Sequence, residues 1–166
     1  MLFFGWLAWK DRVKTSVFLK RIGVLSSSTS SLCLFCKNEV KTTKHVLLFY
    51  PLVWKLWSEI VSWCDLKWAI PSSVEGLFQW WASEKYKYWV HELWKIIPKA
   101  VLWSVWKLRN ECLFKGAQPD FANLSERVKV QIAIWAKLHM EGINYLVHNL
   151  VSNLKQSRYI LYSVVL

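Results

Sequence analysis

Cys33-Leu34-Phe35-Cys36, followed one loop later by His45, places two thiols and an imidazole within short reach of one another. These are soft and borderline donors, and a C-x-x-C knuckle followed by a histidine is the larger part of a tetrahedral zinc set. The fourth donor is expected on the first turns after His45. Tyr50 stands there, just before Pro51, while Cys64 lies well down the helix that Pro51 begins. Two readings stay open: a zinc site held by Cys33, Cys36 and His45 and closed by water or by the Tyr50 phenolate, or a vestigial knuckle without metal. No catalytic constellation surrounds these residues. Two-metal chemistry needs clustered carboxylates, whereas Asp11, Asp65 and Asp120 are scattered. Phosphate-binding glycine loops, H-E-x-x-H helices and nucleophile signatures are missing too, so the expectation is a protein that is not an enzyme. His91, His139 and His148 have no further donors at metal spacing and read as surface or packing residues.

Charge supplies the second feature. The net charge is +11, and more than half of the surplus falls in the first quarter of the chain. There Lys10, Arg12, Lys14, Lys20, Arg21, Lys37, Lys41 and Lys44 face only Asp11 and Glu39. Beside a zinc knuckle, Lys10, Arg12, Lys14, Lys20 and Arg21 form the electrostatic footprint of a phosphate-backbone binder, for RNA or for DNA. The plainer alternative is that lysines solubilise a very apolar chain. Hydrophobic residues make up 54% of it and thirteen residues are tryptophan, which argues against disorder. That aromatic load predicts either a bulky core or surface awaiting a protein partner.

The elements that must position these residues read as mainly α-helical. Residues 3–13 have the pattern of a short amphipathic helix; Thr15 is a natural N-cap for a second, which Gly23 ends. The run Ser26 to Ser31 is a loop by composition and delivers the chain to the knuckle. Residues 31–41 suit a small hairpin, and Thr43 suits the cap of a short helix carrying His45. Pro51 fits a first helical position. Beyond it Val53, Trp54, Trp57, Ile60, Val61 and Cys64 recur at helical spacing. Further helices are expected over 74–83, over 86–114 with a kink or break at Pro98, and over 124–150. Residues 159–166 have β-type composition.

Trp103 and Trp106 fall on one helix and read as core, while Arg109-Asn110 suits either phosphate contact or local capping. The apolar start lacks a signal-peptide pattern, and Ile96–Trp106 is interrupted by Pro98 and Lys99, so no membrane span is expected. The four cysteines make no convincing disulfide framework, which points to a reducing compartment, nuclear or cytoplasmic.

Several of these residues also carry a family resemblance. Phe3-Phe4-Gly5-Trp6 with Ala8, the T-x-x-x-L-x-x-R-x-G pattern of Thr15, Leu19, Arg21 and Gly23, and Cys33, Cys36 and His45-Val46-Leu47 occur in order. Downstream follows Trp103-Ser104-Val105-Trp106-Lys107-Leu108-Arg109-Asn110 with Phe114. Together they resemble the reverse-transcriptase zinc-binding domain of plant LINE-type (non-LTR) retrotransposons. In that family a cysteine stands where Tyr50 is, a glutamate where Lys41 is, and a further segment precedes the F-F-x-W pattern. The chain thus looks like a truncated, degenerate copy. The resemblance implies a zinc-binding-like domain over 1–68 and a helical C-terminal region over 69–166. It also implies an auxiliary role in which the module helps a reverse transcriptase hold template RNA or target DNA. The competing expectation is a structural or protein-interaction remnant that has lost metal and nucleic-acid binding.

Overall fold

The computed structural model describes residues 2–67, 69, 71–83, 88–139 and 151. Among the described residues six α-helices follow one another: α1 Leu2–Trp9, α2 Ser16–Arg21, α3 Pro51–Trp63, α4 Val74–Ser83, α5 Tyr88–Lys115 and α6 Leu124–His139. A single wide turn of π-helix, His45–Phe49, precedes α3. The mainly helical fold is as expected, and among the described residues the hairpin around the knuckle shrinks to one antiparallel bridge, Leu32 with Val40. Residues 140–150 and 159–166, for which a helical continuation and a β-type tail are expected, lie outside the described residues.

Local signals account for most boundaries. The Thr15 hydroxyl accepts the Phe18 N–H at 3.2 Å and caps α2. At its other end Gly23 takes φ 75° while the Val24 N–H reaches the Leu19 carbonyl at 2.9 Å, a glycine-closed helix end. The first helix is shorter than the 3–13 pattern, because Asp11 adopts the left-handed conformation (φ 51°) and the Arg12 N–H closes on the Leu7 carbonyl at 2.8 Å. This is the same closure made with an aspartate. Nor is α1 amphipathic; its sequence LFFGWLAW is apolar on every side.

The long helix α5 runs through the middle of the molecule. It spans 28 residues, about 42 Å of helix, and continues through Pro98, where a break was one expectation. The reason lies in α4. Proline has no N–H for the carbonyl four residues back, and that carbonyl, on Trp94, accepts instead from the Trp81 indole N–H at 2.9 Å. Trp94 returns the bond to the Trp81 carbonyl at 2.7 Å, and the two indoles stack with centroids 4.4 Å apart. Helix α1 packs against α5 through Phe4, which meets Trp103 and Trp106 at 5.5 and 5.8 Å between centroids. The approach is close at Gly5, where a Cβ would stand 3.3 Å from the Lys99 side chain. Trp106 is buried as expected, whereas Trp103 keeps more than a third of its surface in solvent. On α3, Val53, Leu56, Trp57, Ile60 and Val61 face the core, while Trp54, grouped with them by spacing, faces solvent. Buried residues from α1, the π-turn and α3 to α6 form one continuous cluster.

Candidate metal centre

The knuckle is built from short bonds. The Cys33 N–H donates to the Glu39 carbonyl at 2.7 Å, the Lys41 N–H to the Ser31 carbonyl at 2.7 Å, and the Lys37 N–H to the Cys33 carbonyl at 2.9 Å. Lys37 takes φ 57°, the left-handed conformation that folds the chain back after the second cysteine. This turn aims backbone N–H groups at sulfur. Burial pushes the Cys33 thiol up, against the N–H groups of Cys36 and Phe35, which point at it and draw it down. At Cys36 burial is the largest single influence and acts upward, but the N–H groups of Asn38 and Glu39, with the Cys33 side chain, together outweigh it and hold the thiol below its ordinary range.

The π-turn brings the imidazole to the sulfurs. Its entrance is capped by Thr42, whose hydroxyl accepts the His45 N–H at 3.2 Å. Thr43, the residue expected there, is buried instead. The Tyr50 N–H closes the wide turn on the His45 carbonyl at 2.8 Å. Pro51 then leaves the Leu47 carbonyl without its helical donor, and the buried Trp57 indole supplies one at 2.9 Å. Trp57 thereby ties the histidine-bearing turn to α3.

The three predicted ligands converge. The sulfur atoms of Cys33 and Cys36 and a ring nitrogen of His45 all lie within 4.8 Å of one another, and Cys36 Sγ is 3.5 Å from His45 Nε2. A tetrahedral zinc with Zn–S of about 2.3 Å and Zn–N of about 2.05 Å separates sulfur and nitrogen by about 3.5 Å, so the Cys36–His45 distance fits that ion. All four cysteines are free thiols, and burial holds the His45 pKa below its ordinary value, against the pull of Glu39. A neutral imidazole at neutral pH is the form that ligates. Zinc held here would act structurally, fixing the knuckle to the π-turn.

Two sides of the cluster differ. Outward lies a groove of about 550 Å³ lined by Cys36, Glu39, Lys44, His45 and Phe49 among others; water can reach the ligands from here. Inward, the Tyr50 ring packs against Phe35 and Phe121 at 5.1 and 5.5 Å, and those two meet at 5.2 Å. Burial and then the Cys33 and Cys36 thiols push the Tyr50 phenol up, which favours the neutral phenol over the phenolate a metal would take.

Arg109 arrives from α5. It is only 5% exposed, stacks over Trp106 at 4.7 Å and donates from Nη1 to Asn110 Oδ1 at 2.7 Å, while its Nε finds no partner among the described residues. Burial lowers its pKa and the neighbouring Cys33 opposes that, so this guanidinium lies in the field of a ligand. That burial excludes the phosphate contact which sequence spacing allowed. Neither its burial nor the Phe121 contact carries a sequence signal, because both depend on how α5 and the segment before α6 pack on the knuckle.

The five basic residues expected at the nucleic-acid face divide into two groups. Lys20 Nζ donates to the Ser27 carbonyl at 2.8 Å, and Arg21 holds the Asp11 carbonyl at 3.1 Å and its carboxylate at 3.6 Å. Lys10, Arg12 and Lys14 are exposed at and beyond the end of α1. A groove of about 320 Å³ separates that end, at Trp9 and Asp11, from Thr42 and Lys44 at the entrance of the π-turn. The side chains of His91 and His139, and all of His148, lie outside the described residues. No helix among the described residues is long and apolar enough to cross a membrane.

No curated protein and no solved structure matches the chain. Residues 1–57 match the family described as zinc-binding in reverse transcriptase, an interval that contains Cys33, Cys36, His45 and Tyr50 and ends inside α3. Over this interval the chain is similar to that zinc-binding family, and the three candidate ligands Cys33, Cys36 and His45 lie inside the matched residues.

Proposed function

We propose that the chain is a non-enzymatic, zinc-stabilised module of plant LINE-type (non-LTR) ancestry that binds nucleic acid without sequence preference, as an auxiliary of a reverse transcriptase. The observation that supports it most is the convergence of Cys33, Cys36 and His45 at zinc spacing beside the basic end of α1. Lys10, Arg12 and Lys14 are the principal phosphate contacts. Lys20 and Arg21 contribute field while they brace the Ser26 to Ser31 loop and the end of α1. Contacts of this kind carry affinity, not sequence choice.

The test begins with zinc per polypeptide in chain purified under reducing conditions, with Cys36→Ser as control. Near-stoichiometric zinc that the variant loses is the expected result; a folded chain without zinc overturns the metal half. Titration with RNA and DNA follows. Binding should weaken steeply with salt and drop when Lys10, Arg12 and Lys14 are neutralised.

A second reading, a remnant whose aromatic surface packs on a protein, is favoured by Tyr50 in place of a fourth sulfur and by the exposed rings of α1. Binding that survives high salt would select it.

A further inference from the structure

Helix α1 buries Phe4, Gly5 and Ala8 and leaves its other aromatic side chains in water. Phe3 is 69% exposed, Trp6 42% and Trp9 40%. At three-residue steps these rings form a row along one side of the helix, with successive Cβ atoms about 5–6 Å apart. Phe3 and Trp6 stack at 5.9 Å with planes 21° apart. The row leads into exposed cations: Lys10 Nζ lies 3.9 Å from the Trp9 ring centroid, and Arg12 Cζ lies 5.7 Å from that of Trp6. Exposed Lys14 stands just beyond.

Charge complementarity selects the occupant. The centre of a protein-docking patch is depleted of lysine, whereas here Lys10 lies over the Trp9 ring and exposed Lys14 follows. Solubilising lysines, for their part, give no reason to hold three large rings in solvent. A ligand that presents a flat π-face and a phosphate in every repeat suits both halves of the surface.

We propose that Phe3, Trp6 and Trp9 form a base-stacking platform for single-stranded RNA or DNA, with Lys10, Arg12 and Lys14 receiving the phosphates. This rests on the nucleic-acid reading above and narrows it to single strands. A duplex keeps its bases paired and stacked, so it can engage the cations but not the rings. Phosphates draw Lys10 and Arg12 off the indole faces, and bases take their place; cation–π contacts at exposed sites are weak enough to exchange.

The experiment uses the full chain and three fluorescent probes: a U-rich RNA strand, an oligo-dT strand and a blunt DNA duplex. Each is titrated against the parent, Trp6→Ala, Trp9→Ala and Trp9→Phe. The expected result is single-strand affinity lowered about tenfold by each alanine, duplex affinity unchanged, and most of the loss restored in Trp9→Phe. Similar losses for RNA and DNA assign the shared single-strand chemistry, and a difference between them says which strand the platform prefers. Alanine variants that bind single strands like the parent overturn the platform and leave the basic-face reading standing. Equal losses on strands and duplex also overturn it, because the rings then act through folding. Parent chain that binds no probe in a salt-dependent way overturns both readings, and so does capture of strands that persists at high salt.

Discussion

Tyr50 decides how many protein donors a metal bound at this cluster could have. The π-turn places its N–H on the His45 carbonyl, so its side chain leaves the backbone next to the histidine, where the resembling family carries sulfur. Tyr50→Cys should therefore complete a four-donor set and raise zinc affinity at least tenfold in competition with a chelator; unchanged affinity would show that this position does not face the ion. Proton competition follows from His45. Its ordinary pKa is 6.5 and burial lowers it in the fold, so the unfolded chain takes up the proton first as pH falls. The contribution of neutral His45 to stability is complete above about 6.5 and is lost as pH drops below that through the folded value. The metal-free chain should lose unfolding free energy over that interval, and His45→Gln should flatten the profile. Residue types and spacing made the convergence of Cys33, Cys36 and His45 legible as a candidate ligand set. Thr42 as the cap and Arg109 as a buried neighbour were not legible, since each is selected by geometry that only the assembled turn creates.

At the scale of elements, the two prolines that follow helical turns pose one problem and receive one solution. Pro51 frees the Leu47 carbonyl and Pro98 frees the Trp94 carbonyl, and an indole N–H fills each vacancy, from Trp57 and Trp81. An unfilled buried acceptor costs roughly 1–3 kcal/mol. Trp81→Phe, which keeps a ring but removes the donor, should therefore lower stability by about 2 kcal/mol in denaturant unfolding. A loss below half a kcal/mol would mean that water or a shifted helix fills the site. Part of the tryptophan surplus thus has a specific use, one that composition alone could not separate from bulk core packing. The sequence marked the helix starts at Thr15 and Pro51 and the stop at Gly23, because caps and prolines act locally. It overextended α1 and allowed α5 to break, because Asp11 in a left-handed turn and a donor arriving from another helix are not local.

For the whole molecule, the buried cluster runs without interruption from Phe4 on α1 to Ala136 on α6, and Phe121 and Arg109 carry the C-terminal helices onto the knuckle. Metal removal should consequently be felt far from the ligands. With excess chelator, helicity and tryptophan fluorescence should be lost together at a lower temperature than in zinc-loaded chain. A knuckle that melts alone, with the helices untouched, would show that the centre is energetically separate.

Lys37 gives the knuckle a direction of failure. A side chain held at φ 57° stores on the order of 1 kcal/mol that a glycine would not, and zinc bound to Cys33 and Cys36 would hold that turn closed. With zinc bound, the knuckle would act as a sprung latch. If a bound ion were removed, this loop should be the first to loosen, ahead of the joint melting of the helices at their lowered temperature, and the amides of Cys33 and Lys41 should become the early sites of hydrogen exchange while Trp57 still pins the histidine turn. Loss of metal would then begin as a local opening of the knuckle, and a partner that grips residues 33–41 would slow the ion's escape without touching it.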